Sequence, residues 1–496
     1  MSHRVSIDLG ASAVRPSAFS QFGGGGIAVY PNASIGRTPG RELVAAGAML
    51  DEGCGDPTGS VFIFEITSTG LTGGVTRICT GNGGFDGLVG MGDMFGGSVA
   101  WMGDISGDGI VDLAVGAPGT DFDRGAVWLL SMDFTAKEVL SSRVMRASVS
   151  AVPSLAGLPF GAMFGTSIAA LHDIDGNGIS DLLVGAPQAE IDGVSYGVAF
   201  VLLLNSNVTA PDPITRLVQI GRFRGGFTGN YTEGAGFGAQ VAHLRSRDGW
   251  RNSTDIAIGA PRDSAFVQDG PQGRQFGVGS LYMASIEASP IPTVAPSPST
   301  TATSSPSPSV SPTTSVSPTP SVSPTPSVSP TPSVSPSPSS SMVAVAAGVV
   351  LSATKIGDGV GGIPAETLSD GDNFGRYAES IGDLNGDGVE DLVVGAASDD
   401  DGFTDAGAVY ILFLRGNGSA ASYQKISATA GGGSSLGLAS ADFFGQSVSR
   451  LEQPAGDQPS MTRLVVGSPF ADADGDSSGE VHVIRLFPNG TAGHVQ

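Results

Sequence analysis

Three nine-residue segments of the chain repeat one pattern of oxygen-bearing side chains: Asp104-Ile-Ser-Gly-Asp-Gly-Ile-Val-Asp112, Asp173-Ile-Asp-Gly-Asn-Gly-Ile-Ser-Asp181 and Asp383-Leu-Asn-Gly-Asp-Gly-Val-Glu-Asp391. Side-chain oxygens stand at positions 1, 3, 5 and 9: Asp104, Ser106, Asp108 and Asp112; Asp173, Asp175, Asn177 and Asp181; Asp383, Asn385, Asp387 and Asp391. Position 7 (Ile110, Ile179, Val389) offers a backbone carbonyl. Such a set suits a hard cation that takes six to eight oxygens at about 2.3–2.6 Å, and the glycines at positions 4 and 6 let the loop wrap tightly around it. None of the loops holds a His or a Cys, which disfavours zinc, and Mg²⁺ gives up its water reluctantly, so the expected ion is Ca²⁺. The segment Asp472-Ala-Asp-Gly-Asp-Ser-Ser-Gly-Glu480 has the same spacing but lies one turn later in its surroundings, and reads as an acidic surface turn.

These loops need elements to hold them, and the elements recur with them. A Phe-Gly pair followed by small and apolar residues stands at Phe22, Phe95, Phe164, Phe237, Phe374 and Phe444, about 70 residues apart except across one long interval. Between pairs the chain reads as four short apolar runs separated by turn signals. In the second unit these are Phe95 to Trp101, Leu113 to Pro118, Gly125 to Leu130 and a run near Val139. A four-stranded antiparallel sheet per repeat, six times over, predicts a β-propeller, in which radial packing protects the sheet edges. In the fourth repeat positive charge (Arg245, Arg247, Arg251) replaces the ligand positions, and the first and sixth lack the pattern, so three of the six turns are expected to hold no metal. The last repeat stops one strand short, and Arg4-Val-Ser-Ile-Asp8 is expected to supply that strand and close the ring.

The long interval contains residues 289–341, which hold 15 of the 32 prolines, no charge and no aromatic residue, and cycle a six-residue Ser-Val-Ser-Pro-Thr-Pro unit. Such a segment cannot form a packed core and favours extended polyproline II, as in O-glycosylated stalks. Its flanks are a third strand, Gly277 to Ile286, and a candidate fourth strand around Met342 to Ala353, so it is expected to leave and rejoin one blade. The domain reading is therefore a propeller over residues 1–288 and 342–496, with a disordered Ser/Thr/Pro-rich insertion at 289–341.

Composition narrows the partners. The 47 Asp and Glu against 24 Lys and Arg leave a net charge of −23, which repels a phosphate backbone and makes nucleic acid a poor partner. Gly, at 75 of 496 residues, is about twice ordinary usage and fits a chain rich in turns. Two cysteines, Cys54 and Cys79, can make one bridge but no disulfide scaffold. The longest apolar run, Met342 to Leu351, is about half a membrane span, and the N-terminus has no secretory leader pattern. In the other direction, six of the eleven asparagines (Asn32, Asn207, Asn230, Asn252, Asn417, Asn489) lie in Asn-X-Ser/Thr sequons. Together with calcium loops suited to extracellular ion levels, they favour an extracellular or cell-surface location.

Phe-Gly at the start of each unit, Gly-Ala-Pro in the second run (Gly116 to Pro118, Gly185 to Pro187, Gly259 to Pro261) and the acidic loop between them resemble FG-GAP repeats, the units of the integrin alpha-subunit N-terminal propeller. The resemblance implies calcium loops bracing one face and ligands bound on the other, with seven blades typical of the family against six here. It also implies association with a partner subunit. By meander geometry the loops after the second strands lie opposite the calcium turns. These are Gly119 to Arg124, Gln188 to Ser195, Arg262 to Gln275, Ser398 to Asp405 and Phe470 to Ser478, and they vary in length and are rich in Asp. The expected function is a calcium-binding adhesion module for a protein or glycan ligand. The alternatives are a structural wall glycoprotein and an accessory domain of a secreted hydrolase such as a glycosylphosphatidylinositol-specific phospholipase D. No enzyme is expected, because His172, His243 and His482 fall in different repeats with no nucleophile motif.

Overall fold

A computed structural model describes residues 17, 20–31, 42–67, 70–133, 137–146, 155–205, 213–244, 253–263, 277–288, 347–451, 462–471 and 479–493. They form six four-stranded antiparallel sheets and almost no helix. Blade 1 comprises Phe22–Pro31, Glu42–Ala48, Ser60–Thr67 and Gly70–Ile78; blade 2, Ser98–Gly103, Asp112–Ala117, Ala126–Asp133 and Glu138–Arg146. Blade 3 comprises Ser167–Ala170, Leu182–Ala186, Val198–Leu204 and Ile214–Ile220; blade 4, Gln240–Leu244, Ser253–Ala260, Ser280–Glu287 and Val350–Gly357. Blade 5 comprises Phe374–Gly382, Asp391–Ala396, Ala408–Leu414 and Ala420–Ile426; blade 6, Ser447–Leu451, Thr462–Ser468, Glu480–Leu486 and Ala492–Gly493. First strands touch first strands around the ring, and the sixth touches the first.

Burial follows position in the blade. The second and third strands lie between neighbouring sheets and are apolar on both faces: Glu42–Ala48, Val198–Leu204 and Ala408–Leu414 are buried at every residue. Fourth strands form the outer edge and expose much of their length, as in Glu138–Arg146 and Ala420–Ile426. The core is accordingly divided into six clusters, one for each pair of neighbouring blades. The sixth cluster joins Phe22, Val44 and Phe62 of blade 1 to Leu451, Val465 and Val481 of blade 6. A buried ion pair crosses the same seam, Arg463 Nη2 to Glu42 Oε2 at 3.3 Å.

The Phe-Gly pairs join one blade to the next. Phe95, Phe164, Phe237, Phe374 and Phe444 are completely buried, and each makes a parallel bridge to the glycine that opens the third strand of the preceding blade. Their amides donate to carbonyls of that blade, as in Phe95 N to Thr58 O at 2.9 Å and Phe164 N to Arg124 O at 3.0 Å. Because the pair crosses between blades, the first strand of blade 2 begins at Ser98 and not at Phe95. The residue before each Phe is left-handed: Gln21, Met94, Met163, Gly236, Asn373 and Phe443 all have φ between 53° and 70°. The crossing is tightest at glycine. A Cβ added to Gly47, Gly116, Gly185, Gly259, Gly395 or Gly467 would lie under 3.0 Å from the carbonyl oxygen of Gly96, Gly165, Gly238, Gly375, Gly445 or Gly23, respectively, each on the next blade. Ser98 Oγ and Ser167 Oγ donate to the carbonyls of Gly165 and Gly238 at 2.8 and 3.0 Å, and Ser447 Oγ donates to that of Gly23.

Blade 4 pairs Ser280–Glu287 with Val350–Gly357, so the chain between them leaves and returns to one sheet. The returning strand starts eight residues later than Met342, after a turn in which Gly348 N donates to Glu287 O and Glu287 N to Val349 O. Residues 289–346 lie outside the described residues. So do residues 1–10, the expected closing strand. In the structure the fourth place in blade 6 belongs to Ala492–Gly493, because the Pro-Asn-Gly turn at 488–490 reverses the chain, with Phe487 N donating to Thr491 O at 2.9 Å. Cys54 and Cys79 are joined in a disulfide that ties the loop after the second strand of blade 1 to the end of its fourth strand.

Three blades share a further device. Asp51, Asp263 and Asp399, each just beyond the second strand, are nearly inaccessible and bind a cation from the fourth strand of their own blade: Arg77 at 3.2 Å, Lys355 at 2.6 Å and Lys425 at 2.9 Å. In blades 4 and 5 a third-strand tyrosine, Tyr282 or Tyr410, donates to the same carboxylate at 2.8 or 3.1 Å. These contacts tie the inner and outer strands of a blade together at one end.

Gly116→Ala places its methyl group against backbone, which cannot swing aside, and is expected to destabilise the protein by about 1–3 kcal/mol or more in urea unfolding. Gly416→Ala, where an added Cβ meets nothing within 4 Å, is expected to change stability by less than about 0.5 kcal/mol.

Candidate metal centre

The three acidic loops occupy the turns between the first and second strands of blades 2, 3 and 5, all at the same end of the ring. Each is organised by its first Asp. Asp104 Oδ1 accepts from Gly107 N and Asp108 N at 2.6 and 3.1 Å, and Oδ2 from Gly109 N at 2.8 Å. Asp173 repeats these bonds with Gly176, Asn177 and Gly178 at 2.7, 2.9 and 2.7 Å, and Asp383 with Gly386, Asp387 and Gly388 at 2.7, 3.0 and 2.8 Å. The glycines at positions 4 and 6 are left-handed in all three loops, with φ of 80° to 89°. That is the geometry needed to turn successive N–H groups onto one carboxylate. The side chain at position 5 then accepts from the amide at position 7: Asp108 from Ile110, Asn177 from Ile179 and Asp387 from Val389, at 2.8, 2.8 and 2.9 Å.

The ninth residue anchors the loop to the blade. Asp112 and Asp391 open their second strands, Asp181 stands just before its own, and all three are buried to within 1%. One carboxylate oxygen of each accepts from the amide at position 2, Ile105, Ile174 or Leu384, at 3.0 Å. The other oxygen of Asp181 and Asp391 accepts from the end of the third strand, Leu204 N at 2.9 Å and Leu414 N at 3.1 Å. Sequence spacing alone does not show this reach across to the third strand. Asp112 Oδ1 has no hydrogen-bond partner among the described residues.

The loops differ at position 3. In blade 3 it is Asp175, buried, and one ligand atom from each of Asp173, Asp175 and Asp181 lies within 4.8 Å of the others. Asp175 Oδ2 is itself buried with no hydrogen-bond partner among the described residues. A buried, unpartnered carboxylate oxygen in an all-oxygen cluster is the donor set that a hard divalent cation requires, so this loop fits one. In blades 2 and 5 position 3 is neutral. Ser106 Oγ donates to Asp104 Oδ1 at 3.5 Å, and Asn385 Nδ2 donates to Asp387 Oδ2 at 2.9 Å, so these loops bring fewer carboxylates together. The expected metal-free turns of blades 1, 4 and 6 and the 472–478 segment lie outside the described residues.

Burial, reinforced by the neighbouring Asp charges, pushes the position-9 carboxyls upward: Asp112 to about 6, Asp181 to about 7 and Asp391 to about 6. Asp175 is raised for the same reasons. Elsewhere, two histidines from different repeats do meet: the rings of His172 and His243 stand edge to face at 4.6 Å, where the first-strand ends of blades 3 and 4 adjoin. His243 Nε2 lies 2.8 Å from Thr254 Oγ1. The two residues stand at different offsets from their Phe-Gly pairs, so the repeat pattern does not announce the contact.

A carboxyl whose folded pKa lies above its unfolded value holds its proton more tightly when folded. In the metal-free protein, stability should therefore fall as pH rises from about 4, the unfolded value, through 6 to 7. Thermal unfolding in a chelator is expected to show that decline. Calcium held by these carboxylates would displace those protons, so saturating calcium should abolish or reverse the decline, and an unchanged decline would mean that it is not held there.

The FG-GAP repeat family matches residues 95–130, 164–199 and 375–412, the segments of blades 2, 3 and 5 that carry the acidic loops. The chain is also similar to integrin alpha-PS5 of Drosophila melanogaster, at 43% identity over 101 residues, 20% of this chain and 9% of that protein. Integrin alpha-5 of Xenopus laevis is 39% identical over 95 residues, covering 18% of this chain and 8% of that protein. Integrin alpha-4 of Xenopus laevis is 32% identical over 164 residues, covering 32% and 14%. Each likeness thus spans a small part of the relative. Six radial sheets, crossed at Phe-Gly, form a β-propeller, and its blades 2, 3 and 5 carry FG-GAP repeats similar to a portion of integrin alpha chains.

Proposed function

We propose that the chain is an extracellular, non-enzymatic binding module. In this reading three bound Ca²⁺ ions brace one end of the propeller, and the loops at the other end grip a protein or glycan. Support for the ion comes from the loop of blade 3, where three carboxylates converge and one buried oxygen lacks a donor. When bound, calcium would supply charge neutralisation and rigidity. Asp173, Asp175, Asn177, Asp181 and the Ile179 carbonyl would hold it, and the residues at matching positions in blades 2 and 5 would hold the others.

The observation that carries the binding role is the loop Gly119 to Arg124 of blade 2, at the end opposite the acidic turns. Asp121, Phe122 and Asp123 are three consecutive left-handed residues, at φ of 56°, 59° and 60°, a strained run for non-glycine residues. It projects Phe122, which is 83% exposed. Phe160, from the chain entering blade 3, is also exposed and packs edge to face with it at 6.1 Å, and the Arg124 guanidinium lies 3.8 Å from the centre of the Phe160 ring. A strained backbone that presents two aromatic rings to water serves recognition better than packing. The likeness to integrin alpha chains supports an adhesive role and association with a partner subunit. An extracellular setting is supported by the disulfide and by the sequon asparagines Asn230, Asn417 and Asn489, all exposed at turns. Among the described residues no helix is long and apolar enough to cross a membrane.

Calorimetric titration of the metal-free protein should count about three calcium sites. Asp108→Ala with Asp387→Ala should leave one, and Asp175→Ala should weaken that one; heats too small to fit in the unmodified protein would refute the calcium reading. On arrays of extracellular proteins and glycans, Phe122→Ser should lose most of the signal of any ligand found at this face while leaving the thermal midpoint unchanged. Undiminished capture would place the ligand elsewhere.

A further inference from the structure

The starts of the six first strands enclose a cavity of about 320 Å³, open toward the loops that follow the second strands. Its size is at the lower end of clefts that hold small molecules. The residue two places after the Phe of every Phe-Gly pair lines it: Gly24, Gly97, Thr166, Ala239, Arg376 and Gln446. Five of these are small or neutral, and one is arginine. A second arginine, Arg262, enters from the loop of blade 4, where it follows Gly259-Ala-Pro261. Among the described residues no lining side chain is acidic, although the chain carries 47 Asp and Glu.

The two guanidinium groups are close enough to repel. Burial first, and the charge of Arg262 second, hold Arg376 below the usual arginine range. Neither makes an ion pair with a carboxylate among the described residues. Arg376 is oriented by Gln446, whose amide oxygen, in the orientation that satisfies both side chains, accepts from Nε and Nη2 at 3.1 Å. The rest of that fork remains for another acceptor. Arg376 bears a desolvation cost and the repulsion of the exposed Arg262, and a bound oxyanion relieves both. Met94, Val99, Met163 and Ile168, from blades 2 and 3, give the lining an apolar and adaptable side.

We infer that this cavity binds a small organic carboxylate. Arg376 and Arg262 hold the carboxylate, and the methionine-lined wall takes the carbon skeleton. This site does not depend on whether the outer loops grip a macromolecule.

The test is calorimetric titration of the full chain with succinate, propionate and inorganic sulfate, at constant ionic strength set by chloride. Succinate or propionate should bind saturably and more tightly than sulfate. Arg376→Gln and Arg262→Gln should each weaken that binding at least tenfold. Arg376→Lys, which keeps the charge and loses the fork, should fall between. Because the Gln variants remove an uncompensated charge, their thermal midpoints without anion should equal or exceed that of the parent, which separates lost binding from lost folding. No saturable binding of any anion, or equal affinity in the Gln variants, would overturn the site. Sulfate binding with no carboxylate preference would overturn the organic ligand.

Discussion

Neighbouring sheets in this ring approach until backbone meets backbone. At each of six seams a glycine of one second strand faces the carbonyl of the Phe-Gly glycine on the next blade, with no room for a Cβ. Much else follows from that distance. The bulky Phe must lie just beside the contact, where it fills the space between third strands that the glycines cannot. The preceding residue must turn left-handed to enter the crossing, whether it is Gly236 or a less suited Met94, Met163 or Phe443. Serine at the next inner position then reaches the same carbonyl in three of the six seams, including the one that closes the ring. The strain of five non-glycine left-handed residues and the loss of side-chain volume are offset by six interblade cores.

Much of this was legible because the constraint repeats. Phe-Gly and Gly-Ala-Pro at fixed offsets carry the blade count, the strand order and the position of the acidic loops. Less was legible where an interaction uses ordinary residues at long range. The cavity arginine sits at a position that is neutral in every other blade, and only the ring geometry shows that these six positions face one another. The Asp51, Asp263 and Asp399 ion pairs join the end of an inner second strand to the outer fourth strand, and nothing local marks either partner. The short last strand was missed for another reason: Pro488-Asn-Gly490 is a clear turn signal, but only two residues pair after it, too few for any apolar pattern to register.

The acidity of the chain is unevenly placed. Buried aspartates at one end of blades 1, 4 and 5 are paired with cations inside the protein, whereas those of the acidic loops at the other end rely on backbone amides, with Asp112 Oδ1 and Asp175 Oδ2 left without a partner among the described residues. The first group is stable as it stands. In the second group burial, reinforced by neighbouring like charges, raises the proton affinity of Asp112, Asp181 and Asp391. The central cavity inverts this arrangement: among the described residues its lining holds two arginines and no carboxylate. One scaffold thus maintains three electrostatic environments by changing only the residues at equivalent positions of its blades.

The two ends of the proline-rich excursion are clamped to each other by the third and fourth strands of blade 4, through the Glu287 and Gly348 backbone bonds. Closing a long loop costs free energy that grows only with the logarithm of its length. Adding or deleting one six-residue unit in a segment of this size therefore shifts fold stability by only about 0.1 kcal/mol. The copy number of that unit is close to thermodynamically neutral for the propeller. Tandem-repeat slippage in the coding sequence could lengthen or shorten the excursion within a population, and selection on its length would act through what the excursion does outside the fold.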